Sequence, residues 1–310
     1  MRTPEPLVAV VGMTASGKSD LALDLADALG GPDAVEIVGA DAMQLYRGMD
    51  IGTAKVPPEQ RRGIAHHQLD VLDVTEEAAV AAYQRHARAD VAAIRDRGRT
   101  PILAGGSALY VRAVLDRLEF PATDPSVRAE LEDRADRLGA RHLHDELAVR
   151  DPAAASRIDP RNTRRVIRAL EVVRVTGRPY AASMPEQVYV TPTIQMAIDI
   201  PRDQLDARIG ARARTMMDGG LLEETERLLQ AGLARGATAS RAVGYAQAQD
   251  VLAGRMSASE AVESVARATR QLARRQEKWF RRDPRIHWLP GGEDVDPADT
   301  LAAALRTLRA

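Results

Sequence analysis

The sequence predicts an α/β fold, in which a P-loop-containing parallel sheet is wrapped by helices and carries an inserted all-helical subdomain. First, short apolar stretches alternate with helix-like stretches over the first 120 residues, a pattern typical of parallel sheets. Second, a glycine-rich phosphate-binding pattern joins the first apolar stretch to a helix. Third, the alternation stops near residue 122 and one more strand-like stretch follows at 193.

Each element follows from its hydrophobic pattern. Short apolar runs predict strands at 8–11, 35–38 and 101–104, and apolar residues at helical spacing predict helices at 18–29, 83–97 and 107–118. Residues 193–199 alternate apolar and polar side chains, which predicts a strand that completes the interrupted sheet. Beyond Pro201 we expect helices almost to the end, with a surface loop at 289–299 before a short last helix.

The segment 122–192 is expected to form a helical subdomain, inserted between 1–121 and 193–310, which together form the core with the phosphate loop. A helix start is expected at Asp124-Pro125, since Asp caps helices and Pro suits the first helical position. The spacing i, i+3, i+4, i+7 predicts one cationic helix face made of Arg161, Arg164, Arg165 and Arg168.

Two basic segments stand out in a chain of net charge −1. Residues 161–178 contain six Arg and one Glu, and residues 267–285 contain eight Lys or Arg and two acids. Together they indicate a polyanionic partner larger than one diphosphate, although either segment alone is equally consistent with a solvated helix face.

Composition excludes several kinds of site. The 310 residues include no Cys, which rules out disulfides, thiolate-bound zinc and a cysteine nucleophile. The N-terminus lacks the apolar stretch of a signal peptide, and no run of about 18 apolar residues is present. We therefore expect a cytoplasmic protein that does not bind membranes. We also expect it to be monomeric.

The segment 12–19 has the pattern G-x-x-x-x-G-K-S at the start of a helix. Gly12 and Gly17 permit a tight turn whose N–H groups point at phosphate oxygens, Lys18 adds a positive charge, and the hydroxyl of Ser19 is a ligand for Mg²⁺. The positive end of the helix faces the same oxygens. The loop alone does not choose between a nucleotide, pyrophosphate and an allylic diphosphate.

Asp41 lies three residues beyond the second predicted strand, on the edge of the sheet where such folds bind ligands. Nucleotide-hydrolysing relatives of the phosphate loop usually place a metal-binding acid at the end of a strand. Here strand 101–104 ends in Gly105-Gly106-Ser107, which weakens an ATPase interpretation. Asp41 is therefore the candidate general base or metal partner.

Five ordered motifs resemble those of bacterial tRNA dimethylallyltransferases. Besides the phosphate loop they are 41–55, 105–110, 241–245, and 269–276 followed by Trp279-Phe280. The resemblance implies transfer of a dimethylallyl group from dimethylallyl diphosphate to the exocyclic N6 amine of the adenine immediately 3′ of the anticodon, with release of pyrophosphate. It implies the tRNA anticodon stem-loop as partner, with 122–192 as the tRNA-binding subdomain and 1–121 with 193–310 as the catalytic core. The phosphate loop implies Mg²⁺ as cofactor.

The resemblance also implies site residues. Asp41 would be the general base, while Lys18 and Mg²⁺ on Ser19 would stabilise the leaving diphosphate. The diphosphate-binding set is Gly12, Met13, Thr14, Ala15, Ser16, Gly17, Lys18, Ser19, Arg208 and Arg212. The tRNA-binding set is Asp41, Ala42, Met43, Gln44, Ser107, Arg128, Arg164, Arg165, Val166, Ile167, Arg168, Arg241, Ala242, Val243, Gly244, Tyr245 and Ala246. A surface salt bridge is an equal alternative for Arg208 and Arg212.

Residues near Asp41 have competing interpretations. Met43, Gln44 and Tyr46 are candidates to line an adenine pocket, with core packing as the alternative, and His66 and His67 are expected to be structural.

A few positions depart from the family pattern. Met13 replaces a frequent proline, Ala42 replaces a serine, and Ser19 and Ser107 replace threonines.

Three other functions remain open. A kinase or NTPase would need the strand-end acid that is missing here. A prenyltransferase for free adenine nucleotides would not need the helical insertion with its arginine face. A tRNA-binding protein without catalysis would leave Asp41 and the Lys18-Ser19 pair unexplained.

Overall fold

The computed structural model describes residues 6–180 and 187–309 and divides the chain into two compact units. The first, here called the sheet unit, comprises Met1–Leu115 and Tyr189–Ala310. The second, here called the helical unit, is Asp116–Val188, whereas the sequence pattern indicated 122–192. The last predicted residues of a strand or helix are the least reliable, so an offset of a few residues is expected.

The sheet unit is built on one six-stranded sheet in which every pairing is parallel. The strands are β1 (Leu7–Val11), β2 (Val35–Gly39), β3 (Ala65–His67), β4 (Thr100–Gly105), β5 (Thr193–Asp199) and β6 (Ile286–Pro290). Their order across the sheet is β3-β2-β4-β1-β5-β6. The α/β fold class and the strand at Thr193–Asp199 are confirmed, and β5 pairs with β1, so the interrupted sheet is completed as expected.

Two edge strands were missed by the sequence pattern. The expected loop at 289–299 is wrong at both ends, because Leu289 and Pro290 belong to β6 and the last helix begins at Pro297. An edge position explains why a strand there tolerates Pro, which cannot donate to a neighbour. Strand β3 has only three residues, two of them histidines, and such a segment gives no clear alternation of apolar and polar residues.

Among the described residues, three α-helices precede the helical unit: α1 (Lys18–Ala28), α2 (Val80–Asp96) and α3 (Ala108–Leu115). On α1, Leu21 and Leu25 are buried in the core beside Val10 and Ile102. From α2, the hydroxyl of Tyr83 donates to the carbonyl oxygen of Gly39 at 2.8 Å. Side chains and hydrogen bonds thus fix these helices against the sheet.

The helical unit contains α4 (Pro125–Leu138), α5 (Ala140–Arg150), α6 (Pro152–Ala155) and α7 (Thr163–Thr176). The predicted helix start is confirmed, since the Asp124 carboxylate accepts from the N–H groups of Ser126 and Val127 at 2.8 and 3.2 Å. Its core consists of side chains such as Leu131, Leu143, Leu147 and Leu170.

The predicted face of four arginines is wrong at its first member. Helix α7 begins at Thr163, where the side chain of Asn162 caps it. Arg161 precedes the helix and pairs with Asp159 at 2.9 Å. The i, i+3 spacing placed Arg161 on the helix, but the cap at Asn162 starts the helix after that residue.

In the described part of the chain, five α-helices follow β5: α8 (Arg202–Asp218), α9 (Leu221–Gln230), α10 (Tyr245–Leu252), α11 (Ala258–Phe280) and α12 (Pro297–Arg309). Helix α11 packs along α8 and starts with a reciprocal cap between Ser257 and Glu260. Among the residues that the structure describes, no helix is long and apolar enough to span a bilayer.

A buried carboxylate ties the edge of the sheet to the end of α2. Glu36 on β2 accepts from Arg97 at 2.7 Å and Arg99 at 2.8 Å, and it lies 2.6 Å from Nε2 of His67 on β3. Burial alone would raise the pKa of Glu36, but the hydrogen bonds with these three side chains prevail and lower its pKa to about 2. Nδ1 of His66 lies 2.9 Å from a backbone carbonyl oxygen, so both histidines have structural partners.

Replacing Glu36 by Gln is expected to lower the free energy of unfolding by about 2 kcal/mol at pH 7, because partly buried arginines lose their counter-charge. The folded pKa lies below the ordinary value of 4.5, so the stabilisation is present above about pH 4.5 and is lost as pH falls towards about 2. Urea unfolding at pH 7 and pH 3 measures this, with the exposed Glu59→Gln as control. An equal loss at both pH values would contradict the pH dependence.

Candidate active site

The loop between β1 and α1 has the backbone shape of an anion cradle. Gly12 and Gly17 have φ angles of 133° and 84°, a region that favours glycine. Ala15 also has a positive φ, of 63°, which costs energy for a residue with a side chain. Within the described residues, the backbone N–H groups of Ala15, Ser16 and Gly17 have no hydrogen-bond partner in the protein. They are donors available to an anion.

Lys18 provides the positive charge beside these donors. Its ammonium donates to the carbonyl oxygen of Met13 at 3.3 Å. Burial lowers the pKa of Lys18 to about 8, the Asp41 carboxylate partly opposes this, and Arg212 adds to it. Asp41 and Arg212 therefore both act on Lys18, and a bound anion would favour the charged ammonium.

Two serine hydroxyls of the loop lack partners. Oγ of Ser16 is buried and has no hydrogen bond in the described part of the chain, which is unusual for a buried polar atom. No hydrogen bond involves the hydroxyl of Ser19 either, as far as the described residues show. Mg²⁺ takes oxygen ligands and commonly keeps waters and substrate phosphates, so a single protein hydroxyl next to an anion cradle fits this ion.

Asp41 is held in a loop that follows β2. Its Oδ1 accepts from the N–H of Met43 at 3.0 Å. The N–H of Ala42, between these two residues, donates to Oγ of Ser107 at 3.1 Å. A Cβ on Gly105 would lie 2.2 Å from the carbonyl oxygen of Ala40. The end of β4 therefore lies directly against the Asp41 loop, which explains why that strand ends in glycines.

Thr14 of the phosphate loop and Asp41 line the same cavity, of about 270 Å³, whereas Ser16 and Gly17 line a separate one. Its polar lining comes from Thr14, Asp41, Arg212, Arg241, Thr269 and Gln276. Its apolar lining comes from Ile209, Ala213, Met216, Val243, Val265 and Leu272. The cavity thus has a charged part beside the anion cradle and an apolar wall suited to a small hydrocarbon group.

The two predicted arginines of α8 differ in position. Arg212 lines the cavity with Asp41, and burial lowers its pKa although Asp20 opposes this. Arg208 lines a separate cavity of about 170 Å³ beside Ser16 and Asp20. Neither arginine forms an ion pair within residues 6–180 and 187–309, so the surface salt bridge is not seen.

Buried polar groups that the sequence pattern did not indicate hold the 50–55 segment in the cavity wall. The carboxylate of Glu224 accepts from Ile51 N–H at 3.0 Å and from the Tyr245 hydroxyl at 2.6 Å. A Cβ on Gly52 would lie 2.5 Å from the Tyr245 ring. Nζ of Lys55 contacts Asp50 and Asp70 at 2.6 Å each. An acid inside the amphipathic helix α9 carries no sequence signal of such a role.

Residues predicted beside Asp41 separate into wall and core. Met43 lines the cavity. Nε2 of Gln44 donates to the carbonyl oxygen of Thr53 at 3.1 Å. Tyr46 is fully buried and its hydroxyl donates to the carbonyl oxygen of Glu76 at 3.2 Å. Its placement therefore agrees with the core-packing alternative.

The 241–246 stretch also divides. The cavity is lined by Arg241, Ala242 and Val243, whereas Gly244 and Tyr245 are buried and Ala246 is partly exposed. The ring of Tyr245 packs against the 50–55 segment. Arg241 is the exposed member of the stretch, so it is the one best able to reach a large partner.

The helical unit presents fewer unpaired arginines than its sequence indicates. Arg164 and Arg165 are exposed, while Val166 and Ile167 are buried in the unit's core. Arg128 and Arg168 both donate to Glu171, at 2.8 and 2.9 Å. The exposed pair is therefore the part of α7 that can contact a polyanion directly.

Comparison with known proteins identifies the family. Residues 44–283 match the family described as IPP transferase. The chain belongs to this family. The chain is 56% identical to the tRNA dimethylallyltransferase of Kineococcus radiotolerans over 98% of its own length and 96% of the relative. It is 54% identical to the tRNA dimethylallyltransferase of Mycobacterium tuberculosis, over 94% of each chain.

Solved structures with the same fold as this chain are also found. The tRNA isopentenylpyrophosphate transferase of Bacillus halodurans is 37% identical, with a TM-score of 0.70 over 99% of this chain and 97% of that one. A eukaryotic dimethylallyltransferase acting on tRNA, at 24% identity, has the same fold with a TM-score of 0.84 over 98% of this chain and 78% of that one. The resemblance and the transferase class are confirmed.

Glu224→Ala should lower the free energy of unfolding by about 3 kcal/mol, because buried donors on Ile51 and Tyr245 lose their acceptor. Hydrogen exchange at residues 50–54 should also become faster. Urea unfolding and exchange mass spectrometry measure the two effects, with the neighbouring exposed Glu223→Ala as control. Unchanged exchange at residues 50–54 would show that Glu224 does not hold this segment.

Proposed function

We propose that this chain transfers the dimethylallyl group of dimethylallyl diphosphate to the exocyclic N6 amine of the adenine 3′-adjacent to the anticodon in tRNA, releasing pyrophosphate. The observation that carries the proposal is that Asp41 and Thr14, which directly precedes the free N–H groups of the anion cradle, line one cavity with an apolar wall. The relatives named tRNA dimethylallyltransferase, at 52–56% identity, support it.

The diphosphate would bind on the loop. The free N–H groups of Ala15, Ser16 and Gly17 would donate to its oxygens, and Lys18 and Arg212 would balance its charge. Mg²⁺, held by the hydroxyl of Ser19, would supply further positive charge at the leaving group. The dimethylallyl group would then lie along the apolar wall of the cavity.

Asp41 would act on the acceptor. The exocyclic amine of adenine is a weak nucleophile because its lone pair is delocalised into the ring. As its nitrogen bonds to C1 of the allyl group, the bond from C1 to the diphosphate oxygen breaks and a proton leaves the nitrogen for the Asp41 carboxylate. Such a base contributes about 10²–10⁴ in rate. The adenine would have to be turned out of the anticodon stack.

The tRNA would be bound chiefly through phosphate contacts. Arg164 and Arg165 are exposed on the helical unit, and Arg241 is exposed on the sheet unit. A cytoplasmic location and a monomeric state remain part of this proposal, the first because tRNA is the substrate.

The direct test is incorporation of labelled dimethylallyl diphosphate, with Mg²⁺, into unmodified tRNA bearing adenine next to the anticodon, run beside AMP and ADP. We expect label in tRNA alone. Label in the nucleotides would assign the chain to enzymes that prenylate free adenine nucleotides. ATP hydrolysis without any transfer would support an NTPase.

Asp41→Asn should lower kcat by about 10²–10⁴ while the affinities for tRNA and dimethylallyl diphosphate stay within a few-fold, because the amide keeps the shape but cannot take the proton. Lys18→Ala should instead weaken the binding of dimethylallyl diphosphate. Single-turnover rates and binding titrations separate the two effects, and the exposed Asp33→Asn is the control. Near-normal turnover by Asp41→Asn would exclude it as the base.

Binding to tRNA should weaken steeply with salt, since arginine contacts to phosphates release counterions. Replacing both Arg164 and Arg165 by Ala should flatten the plot of log affinity against log salt by about one to two contacts. Filter binding from 50 to 300 mM salt measures the slope, with Arg137→Ala, an exposed arginine paired with Asp133, as control. An unchanged slope would remove these two residues from the interface.

A further inference from the structure

Gln276 on α11 contacts the phosphate loop although the two are far apart in the chain. Its side-chain oxygen accepts from the N–H of Thr14 at 2.8 Å, across 262 residues, and its Nε2 donates to the carbonyl oxygen of Gly106 at 2.9 Å. The residue is buried, with 8% of its surface exposed. One amide therefore joins the phosphate loop, the turn after β4 and α11.

The fit around this amide is tight. A Cβ on Gly106 would lie 2.8 Å from Nε2 of Gln276 and 3.0 Å from the carbonyl oxygen of Gly12. The absence of a side chain at Gly106 thus makes room for the amide. An uncharged amide offers an acceptor to an N–H and a donor to a carbonyl from the same position, whereas an ionised carboxylate has no donor for the Gly106 oxygen.

The contact lies immediately before the free donors of the cradle. Thr14 N–H is committed to Gln276, and the next three N–H groups are unpartnered. On the other side, the Met13 carbonyl oxygen is held by the Lys18 ammonium. The loop is thus fixed at Met13 and Thr14, and Ala15, the next residue, has a positive φ. Holding such a backbone before the ligand arrives reduces the ordering cost of binding.

We propose that Gln276 is a positioning residue that holds the phosphate loop in its diphosphate-binding shape. It acts through the Thr14 N–H and not by contact with the reacting atoms. The inference deepens the proposed function and rests on it in naming dimethylallyl diphosphate as the ligand. The positioning role itself requires only that the loop binds a diphosphate.

The test compares Gln276→Met, which keeps the length of the side chain and removes both hydrogen bonds, with Gln276→Glu, which keeps the acceptor for Thr14 and adds a negative charge. Gln230→Met, at an exposed position at the end of α9, is the matched control. Pyrophosphate binding is measured by calorimetry with Mg²⁺, together with KM, kcat, tRNA affinity and thermal unfolding.

Gln276→Met should weaken pyrophosphate about tenfold, which equals about 1.4 kcal/mol, and raise the KM for dimethylallyl diphosphate by a similar factor. Gln276→Glu should weaken both further because its carboxylate lies near the anion. kcat at saturation and tRNA affinity should stay within about twofold.

Pyrophosphate affinity within twofold of wild type in both variants would overturn the proposal, as would a lowered melting temperature with unchanged KM. Absence of dimethylallyl transfer by the wild-type enzyme would contradict the proposed function, but the comparison of pyrophosphate affinities would still decide the role of Gln276.

Discussion

The arrangement of the site depends on the parallel sheet, because parallel strands deliver all their carboxyl ends to one edge. β1 ends at the phosphate loop, β2 ends at the Asp41 segment, and β4 ends in the glycines between them. The approach of Gly105 to the Ala40 carbonyl leaves no space for a side chain. Segments distant in sequence are therefore brought into one cavity wall by the backbone of the sheet itself.

Charges are distributed differently in the site and in its supports. The supporting charges are paired at short range, as Glu36 is with Arg97 and Arg99. In the site, Arg212 of the cavity wall and Lys18 beside the phosphate loop have no ion-pair partner within hydrogen-bonding distance among the described residues. Burying cations in this way is unfavourable without an anion. The imbalance is the physical reason to expect a diphosphate there.

Sequence predicted the sheet core and the phosphate loop well, because buried strands and glycine-dependent turns leave local patterns. It missed β3 and β6, which are edge strands, and it extended the α7 arginine face past the cap at Asn162. Glu224 and the amide of Gln276 gave no local pattern, since their partners lie far away in the chain. Long-range polar contacts of this kind can be identified only when the folded structure is known.

The most direct test of the shared cavity is a crystal structure with Mg²⁺ and a non-reactive analogue of dimethylallyl diphosphate. The diphosphate should accept hydrogen bonds from the N–H groups of residues 15–17, and the hydrocarbon should lie along Ile209 and Met216 with its C1 facing Asp41. A diphosphate bound away from the loop, or a hydrocarbon directed away from Asp41, would contradict the assignment of one cavity to both reactants.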